Sequence, residues 1–432
     1  MPNKCSRQSS YGTLLFGLAT VYAAVGCVLI LGVCVPVTMI SAAAQPSSGV
    51  ATSRSPAPPR SAPRASLPKG SSGSRSAPLP NFDELPHRSV PAAGVFQGWC
   101  GNQDRCLIWD GRGASSRLFD PTSPDAGVQI TMSGPRQCDG GGDNIVFVIS
   151  SRGAIARVNV EQRSMETLAL YQQLHASKPP ILSISPDLKS VAYDPERVRF
   201  NDESGGANIK LLPLIAGEGQ HTGVIRWKAD ASMLFHVTWS QTVAGDPKSY
   251  VESVSIMNAR TAETVQGKLP IGFEFMDGSF LDGGLVVFMR PRNGDLLAPG
   301  RPGTVFRCSV APFKCRPVVA SVDGASMNEH GLVGTVTMIY NDRRNRYVPG
   351  WFAVPDKYVL NVLNVDGRIL IRQELPAYSK KDLLSRALID VKVHVSPSGR
   401  RVILEWGESK EKCKTDDGLC KVRKIFEFPR PK

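Results

Sequence analysis

From about residue 95 onward, apolar residues fall in short runs separated by clusters of Gly, Pro, Asn and Asp. Asn144–Ile149, Leu285–Met289, Tyr358–Leu363 and Val402–Trp406 are the clearest. Runs of this length, rich in Val, Ile, Leu and Phe and bounded by turn formers, predict strands. Helical spacing is nearly absent. The exception is Lys380–Ile389 (KKDLLSRALI), where Ser379 can serve as an N-cap, and it predicts a connector between sheets. The chain therefore reads as all-β.

The runs recur as a unit. Ile184–Tyr193 is followed by Gly205–Leu214, Val395–Leu404 by Lys424–Phe428, and Ile225–Phe235 by Val254–Met257. In each, a strand enters a polar turn, a second apolar strand leaves it, and a third follows a variable loop. The turns Ser185-Pro186-Asp187 and Ser396-Pro397-Ser398 have a physical basis. Proline fixes φ, while the short polar side chains hydrogen-bond nearby backbone groups. These residues resemble the WD-like repeats of TolB-type β-propellers, in which an S-P-D-G turn precedes a strand such as I-A-F. Leu188 stands where that pattern has glycine, and Ser398 where it has aspartate.

The resemblance implies a β-propeller. Dividing residues 95–432 by about 40–50 residues per four-stranded blade gives six to eight blades, with seven preferred. The expected beginnings are near Phe96, Val128, Ile181, Val224, Phe273, Met327 and Val391. One blade cannot bury both of its faces, so closure of a ring must supply the core.

Ahead of this region, residues 1–10 form a short tail and residues 11–40 carry no charge, a length that spans a bilayer. A transmembrane signal-anchor is expected there. The competing reading is a long signal peptide cleaved near Ala44, after the small residues Ser41 to Ala44, which would release a secreted protein. Residues 41–94, dominated as far as residue 80 by Pro, Ser, Ala, Gly and Arg, read as a disordered linker.

The net charge of +13 changes little. Residues 1–80 hold seven basic and no acidic side chains, and subtracting 7 from 13 leaves +6 spread over the rest. With no concentrated basic face, no nucleic-acid partner is expected. Cysteine usage is more informative. Cys100/Cys106, Cys308/Cys315 and Cys413/Cys420 form close pairs, read as hairpin disulfides in an oxidising compartment, with Cys138 a free thiol or a link to another chain. Their five- and six-residue gaps exceed the usual zinc spacing, so no metal site is expected.

Catalytic signatures are missing. No G-x-S-x-G elbow occurs. Cys138–Asn144, Asp277-Gly278 and Asp282–Gly284 read as turns rather than calcium loops. Asp202/Glu203 and Asp416/Asp417 read as solvated loop charge. No cofactor is implied. One or two of the six tryptophans are expected at a binding surface, Trp351 foremost, near the basic stretch Arg343, Arg344 and Arg346, whose guanidinium forks suit an anion. The function expected is a membrane-anchored, extracytoplasmic, non-catalytic binding or scaffold module for a protein or envelope polymer. The alternatives are a cell-envelope glycan hydrolase or lyase, and a polyanion-binding surface protein.

Overall fold

The recurring strand–turn–strand unit folds as a blade, and seven blades close into a β-propeller. The computed structural model describes residues 79–428 apart from the segments 90–94, 101–103, 110–114, 121–122, 132–134, 141–143, 151–152, 176–179, 202–208, 218–219, 242–248, 293–301, 340–354, 356, 376–390 and 409–419. The segment expected to cross a membrane, the helix expected over Lys380–Ile389 and the Cys413 thiol lie outside the described residues. Among those described, no helix is long and apolar enough to cross a membrane.

The first strand, β1 (His87–Ser89), precedes blade 1, which is formed by β2 (Val95–Cys100), β3 (Arg105–Trp109), β4 (Ser115–Asp120) and β5 (Ser123–Thr131). Blade 2 contains β6 (Pro135–Gly140), β7 (Ile145–Ser150), β8 (Ala154–Asn159) and β9 (Ser164–Gln173). Blade 3 is shorter. After β10 (Leu182–Ile184) and β11 (Ser190–Tyr193) the chain forms β12 (Val198–Phe200), which pairs with β9 of blade 2, and β13 (Lys210–Pro213) returns parallel to β11.

Blades 4 to 6 are regular four-stranded meanders. They comprise β14 (Gln220–Trp227), β15 (Met233–Gln241), β16 (Tyr250–Asn258) and β17 (Thr264–Lys268); then β18 (Phe273–Leu281), β19 (Gly284–Pro291), β20 (Gly303–Val310) and β21 (Phe313–Val322); then β22 (Gly324–Met327), β23 (Leu332–Ile339), β24 (Lys357–Asn364) and β25 (Ile369–Leu375). Blade 7 has β26 (Lys392–Val395), β27 (Arg401–Glu408) and β28 (Cys420–Glu427), and takes β1 as its fourth strand.

Each hydrophobic cluster sits between two consecutive blades, which explains strands with no polar face. In β19, Leu285, Val287 and Met289 pack with Phe235 and Ile256 of blade 4, while Val286 and Phe288 pack with Met327 and Val333 of blade 6. Side chains alternate across a strand, so a run of five apolar residues satisfies two interfaces at once. The expected blade beginnings fall on or beside first strands in six cases. Val128 is the exception, because it lies in β5, the fourth strand of blade 1, and blade 2 starts at Pro135. Val128 and Ile130 alternate as an inner strand would, and both are buried against blade 2.

The polar turns form a braced ring at one end of the propeller. Ser185 Oγ donates to Asp187 Oδ1 at 2.6 Å and accepts from Ser190 N, and Leu188, in glycine's usual place, adopts φ +67°. In blade 7, Ser398 replaces the aspartate, and the carboxylate comes instead from blade 1: Asp104 accepts from Ser398 N at 3.0 Å and from its hydroxyl. Asn328 Nδ2 donates to Ser396 O at 2.8 Å, joining blades 6 and 7. Glu329 accepts from Ala229 N at 2.7 Å, so a blade 6 turn reaches past blade 5 to blade 4. Asp277-Gly278, expected as a turn, lies paired within β18 just after a β-bulge at Met276, whereas Asp282-Gly283 is the two-residue turn joining β18 to β19.

The linker was expected to run to residue 94, and the fold begins earlier. Phe82 is 0% exposed and inserts between blades 6 and 7, edge-on to Phe426 at 4.9 Å. Arg372 N donates to Pro80 O, and Gln373 donates to Asp83. β1 then pairs with β28, placing His87 opposite Phe426 and Ser89 opposite Lys424. Three residues with no hydrophobic run carry no strand signal of their own; the open edge of β28 makes the strand.

The cysteine pairing also differs. β2 and β3 set Trp99 opposite Cys106 and Cys100 opposite Arg105, so the two thiols leave opposite faces of the sheet and do not bond. Cys100 instead bonds Cys138 of β6, at a Cα separation of 5.1 Å, and fastens blade 1 to blade 2. Cys138 is therefore not free. Among the described residues the free thiol is Cys106, buried between blades 1 and 7 with Phe96, Ile108, Ile403 and Ile425. Cys308 and Cys315, directly opposite in β20 and β21, are joined.

Two tests follow from closure and cross-linking. Phe82→Ala should lower the free energy of unfolding by about 3–5 kcal/mol in chemical denaturation, and an unchanged midpoint would mean that residues 80–89 do not close the ring. Peptide mapping without reduction should recover Cys100 linked to Cys138, with Cys106 alkylated only after denaturation.

Candidate functional site

Strand direction separates two ends of the ring. The tight turns between first and second strands, such as 185–189 and 328–331, occupy one end. The strand ends that bear the long connections 242–249, 292–302, 340–356 and 409–419 lie at the other. Variable loops at one end of a rigid scaffold are where binding residues concentrate. Arg343, Arg344, Arg346 and Trp351 belong to the connection 340–356 and lie outside the described residues.

At this loop end, a side-chain ladder fills the crevice between blades 4 and 5. Strand register sets His221 of β14 opposite Trp239 of β15, and Trp239 opposite Glu252 of β16. Tyr250, two residues before Glu252, shares its face. The His221 and Trp239 ring centroids are 4.5 Å apart, and Trp239 stacks on Tyr250 at 5.7 Å with 29° between planes. Arg292, just beyond β19 of blade 5, lays its guanidinium over the Tyr250 ring, 3.3 Å from the centroid. The order across the crevice is imidazole, indole, phenol, guanidinium.

The buried Glu252 carboxylate holds this ladder. Oε1 accepts from the Tyr250 hydroxyl and Oε2 from Phe275 N of β18, both at 2.6 Å. The tyrosine is thereby fixed, and blade 4 is tied to blade 5 by one side chain. Burial pushes the Glu252 carboxyl up to about 7, against the lowering effect of its two hydrogen bonds, while Glu274 raises it and Arg292 lowers it. Burial, with the hydrogen bond to Glu252, also raises the Tyr250 phenol.

Asp194, at the loop end of blade 3, is raised by burial and pairs with Arg197 at 3.4 Å. In blade 6, Asp323 accepts from Met338 N at 2.6 Å and is likewise raised by burial. No group of three or more potential metal ligands occurs among the described residues.

The other described tryptophans do structural work. Trp99 packs edge-on to Phe96, Trp227 donates to Ser183 O of blade 3 at 3.2 Å, and Trp406 lies under Lys424. Sequence reasoning missed Trp239 as a surface residue. The available signal was the pair Tyr250-x-Glu252, two polar-headed side chains on one strand face, but its meaning required the register of three strands.

No family model and no curated protein matches the chain. Among solved structures, the tricorn protease aligns at 12% identity over 83% of this chain and 35% of its own, with a TM-score of 0.46. Oligogalacturonate lyase from Vibrio parahaemolyticus aligns at 9% identity over 79% and 92%, with a TM-score of 0.38. The Myceliophteria thermophila Swd1 β-propeller domain aligns at 10% over 78% and 98%, with a TM-score of 0.42. With each of these scores below 0.5, the fold assignment rests on the strand pairing above.

The carboxyl of Glu252 and the imidazole of His236 give opposite pH dependences. Glu252 has a folded pKa near 7, above its ordinary 4.5, so the stability it contributes is complete below about pH 4.5 and lost as pH rises through 7. Buried His236, depressed to about 4 from 6.5, contributes stability that is lost as pH falls from 6.5 toward 4. Glu252→Gln should therefore flatten the decline between pH 5 and 8, worth up to about 3 kcal/mol, in denaturation midpoints measured at both pH values. A variant with the wild-type slope would assign that decline to other groups.

Proposed function

We propose that this protein is a membrane-tethered, extracytoplasmic recognition module, non-catalytic, whose propeller presents the loop-end rim of blades 3 to 5 to a protein partner. The observation that carries this reading is the His221–Trp239–Tyr250–Arg292 ladder. Tryptophan, tyrosine and arginine are the residues that dominate binding hot spots, and here they are ordered before any partner arrives, which lowers the entropic cost of association. The two disulfides among the described residues, one between blades and one within a hairpin, accord with an oxidising compartment. Residues 11–40 supply the tether and the arginine-containing linker the stalk.

A glycan hydrolase or lyase fits this rim less well. Such chemistry needs carboxylates free to face a sugar bond. Both Glu252 oxygens are engaged by Tyr250 and Phe275, and Asp194 is paired with Arg197. A polyanion surface would need a continuous basic field, whereas Asp194, Glu274 and Asp323 intersperse acid along the same end.

The full-length protein in native membranes should be digested by protease added on the extracytoplasmic side, and cross-linking should trap a discrete protein. Trp239→Ala should reduce that cross-link at least tenfold with the melting temperature little changed. Release of shortened glycan from envelope material would replace this reading with the enzymatic one, and an undiminished cross-link would move the binding surface away from the rim.

A further inference from the structure

The exposed faces and unpaired groups of the rim restrict what it can hold, an argument that rests on the recognition role proposed above. Sugar binding through aromatic residues needs an open ring face. Tyr250 is 5% exposed and is engaged by both Trp239 and Arg292, so its ring has no face left for a pyranose.

The ladder ends on the guanidinium of Arg292. Stacking on Tyr250 fixes the plane of the fork, so its N–H donors point along the edge in the geometry that receives a carboxylate. Arg292 is part-exposed, and among the described residues it forms no ion pair. The neighbouring Glu252 carboxyl is spent on Tyr250 and Phe275.

Beside this cation lies an aliphatic side chain that the fold does not cover. Ile271 is 71% exposed and adjoins Gly272, whose carbonyl accepts from Arg292 N at 2.8 Å. Isolated exposed aliphatic residues are ordinary on a protein surface; one of them beside a preorganised guanidinium that forms no ion pair among the described residues makes a composite of charge and apolar area.

We infer that the crevice between blades 4 and 5 binds a peptide segment of a partner protein in which an acidic side chain, seated on Arg292, is neighboured by an aliphatic residue that covers Ile271. An acidic glycan shares the carboxylate but has no apolar side chain for Ile271. A phosphate-bearing ligand would use the guanidinium and leave Ile271 exposed.

Selection of a random dodecapeptide display library on the immobilised full-length protein tests this directly. Wild-type protein should enrich sequences with Asp or Glu next to Leu, Ile or Val. Synthetic versions of the selected peptides should bind at least tenfold more weakly to Arg292→Ala, about fivefold more weakly to Arg292→Lys, and at least tenfold more weakly when their acid is replaced by its amide. Both variants should keep the wild-type melting temperature within a few degrees, because Arg292 is part-exposed and Glu252 still ties Tyr250 to blade 5. Ile271→Ser should weaken binding severalfold.

Peptides that depend on Trp239 but carry no acid would overturn the carboxylate assignment and leave the recognition role standing. Peptides insensitive to every rim variant, or no enrichment at all, would overturn both. Displacement of the selected peptides by oligogalacturonate, with no effect of Ile271→Ser, would assign the crevice to acidic glycans instead.

Discussion

Everything in this molecule depends on one non-local pairing, that of β1 with β28, which sets His87 opposite Phe426. A blade has two apolar faces and can bury them only between two neighbours. Six of the interfaces arise between blades consecutive in sequence. The seventh, between blades 7 and 1, requires the chain to return on itself, and residues 80–89 supply both the missing fourth strand and the Phe82 wedge between blades 6 and 7. The cost of closing so long a loop is entropic and grows slowly with length. Burial of a phenylalanine and a strand's worth of hydrogen bonds offset it.

The two ends of the ring use polar chemistry differently. At the turn end, side chains brace blade to blade: Asp104 to Ser398, Asn328 to Ser396 and Glu329 to Ala229. Short polar turns are well suited to this because their donors are already directed by the local backbone. Burial raises the Glu329 carboxyl to about 7, the same displacement seen at Glu252. Each marks a carboxylate taken from water to satisfy a backbone N–H of another blade. At the loop end Glu252 does this between blades 4 and 5, and it fixes the buried Tyr250 against which Trp239 and Arg292 pack.

That difference is why the rim and the turn ring have separate roles. A carboxylate with both oxygens engaged is a poor proton carrier but an effective anchor, since moving it would leave Phe275 N and the Tyr250 hydroxyl without partners at a cost of about 1–3 kcal/mol each. Held in this way, Tyr250 packs against both Trp239 and Arg292. The ladder is anchored where it meets blade 5, with Tyr250 buried and Arg292 part-exposed.

Much of the architecture was legible in order along the chain. The runs at Leu285–Met289 and Val402–Trp406 and the Ser-Pro turns identified strands, blades and a count of seven, because local hydrophobic alternation and turn chemistry act over a few residues and leave their mark there. What depends on register did not show. Cys100 and Cys106 are close in sequence yet face apart, since one step along a strand reverses the side chain. β1 becomes a strand only because β28 offers it an edge, and β12 leaves its own blade for β9. Glu252 reads as one more charged residue until three paired strands bring His221, Trp239 and Tyr250 to its face. The sequence by itself determined which segments are strands and that they must stack; tertiary structure decided which side chains meet, because contact across strands and blades is set by pairing partners that lie up to the whole length of the fold away.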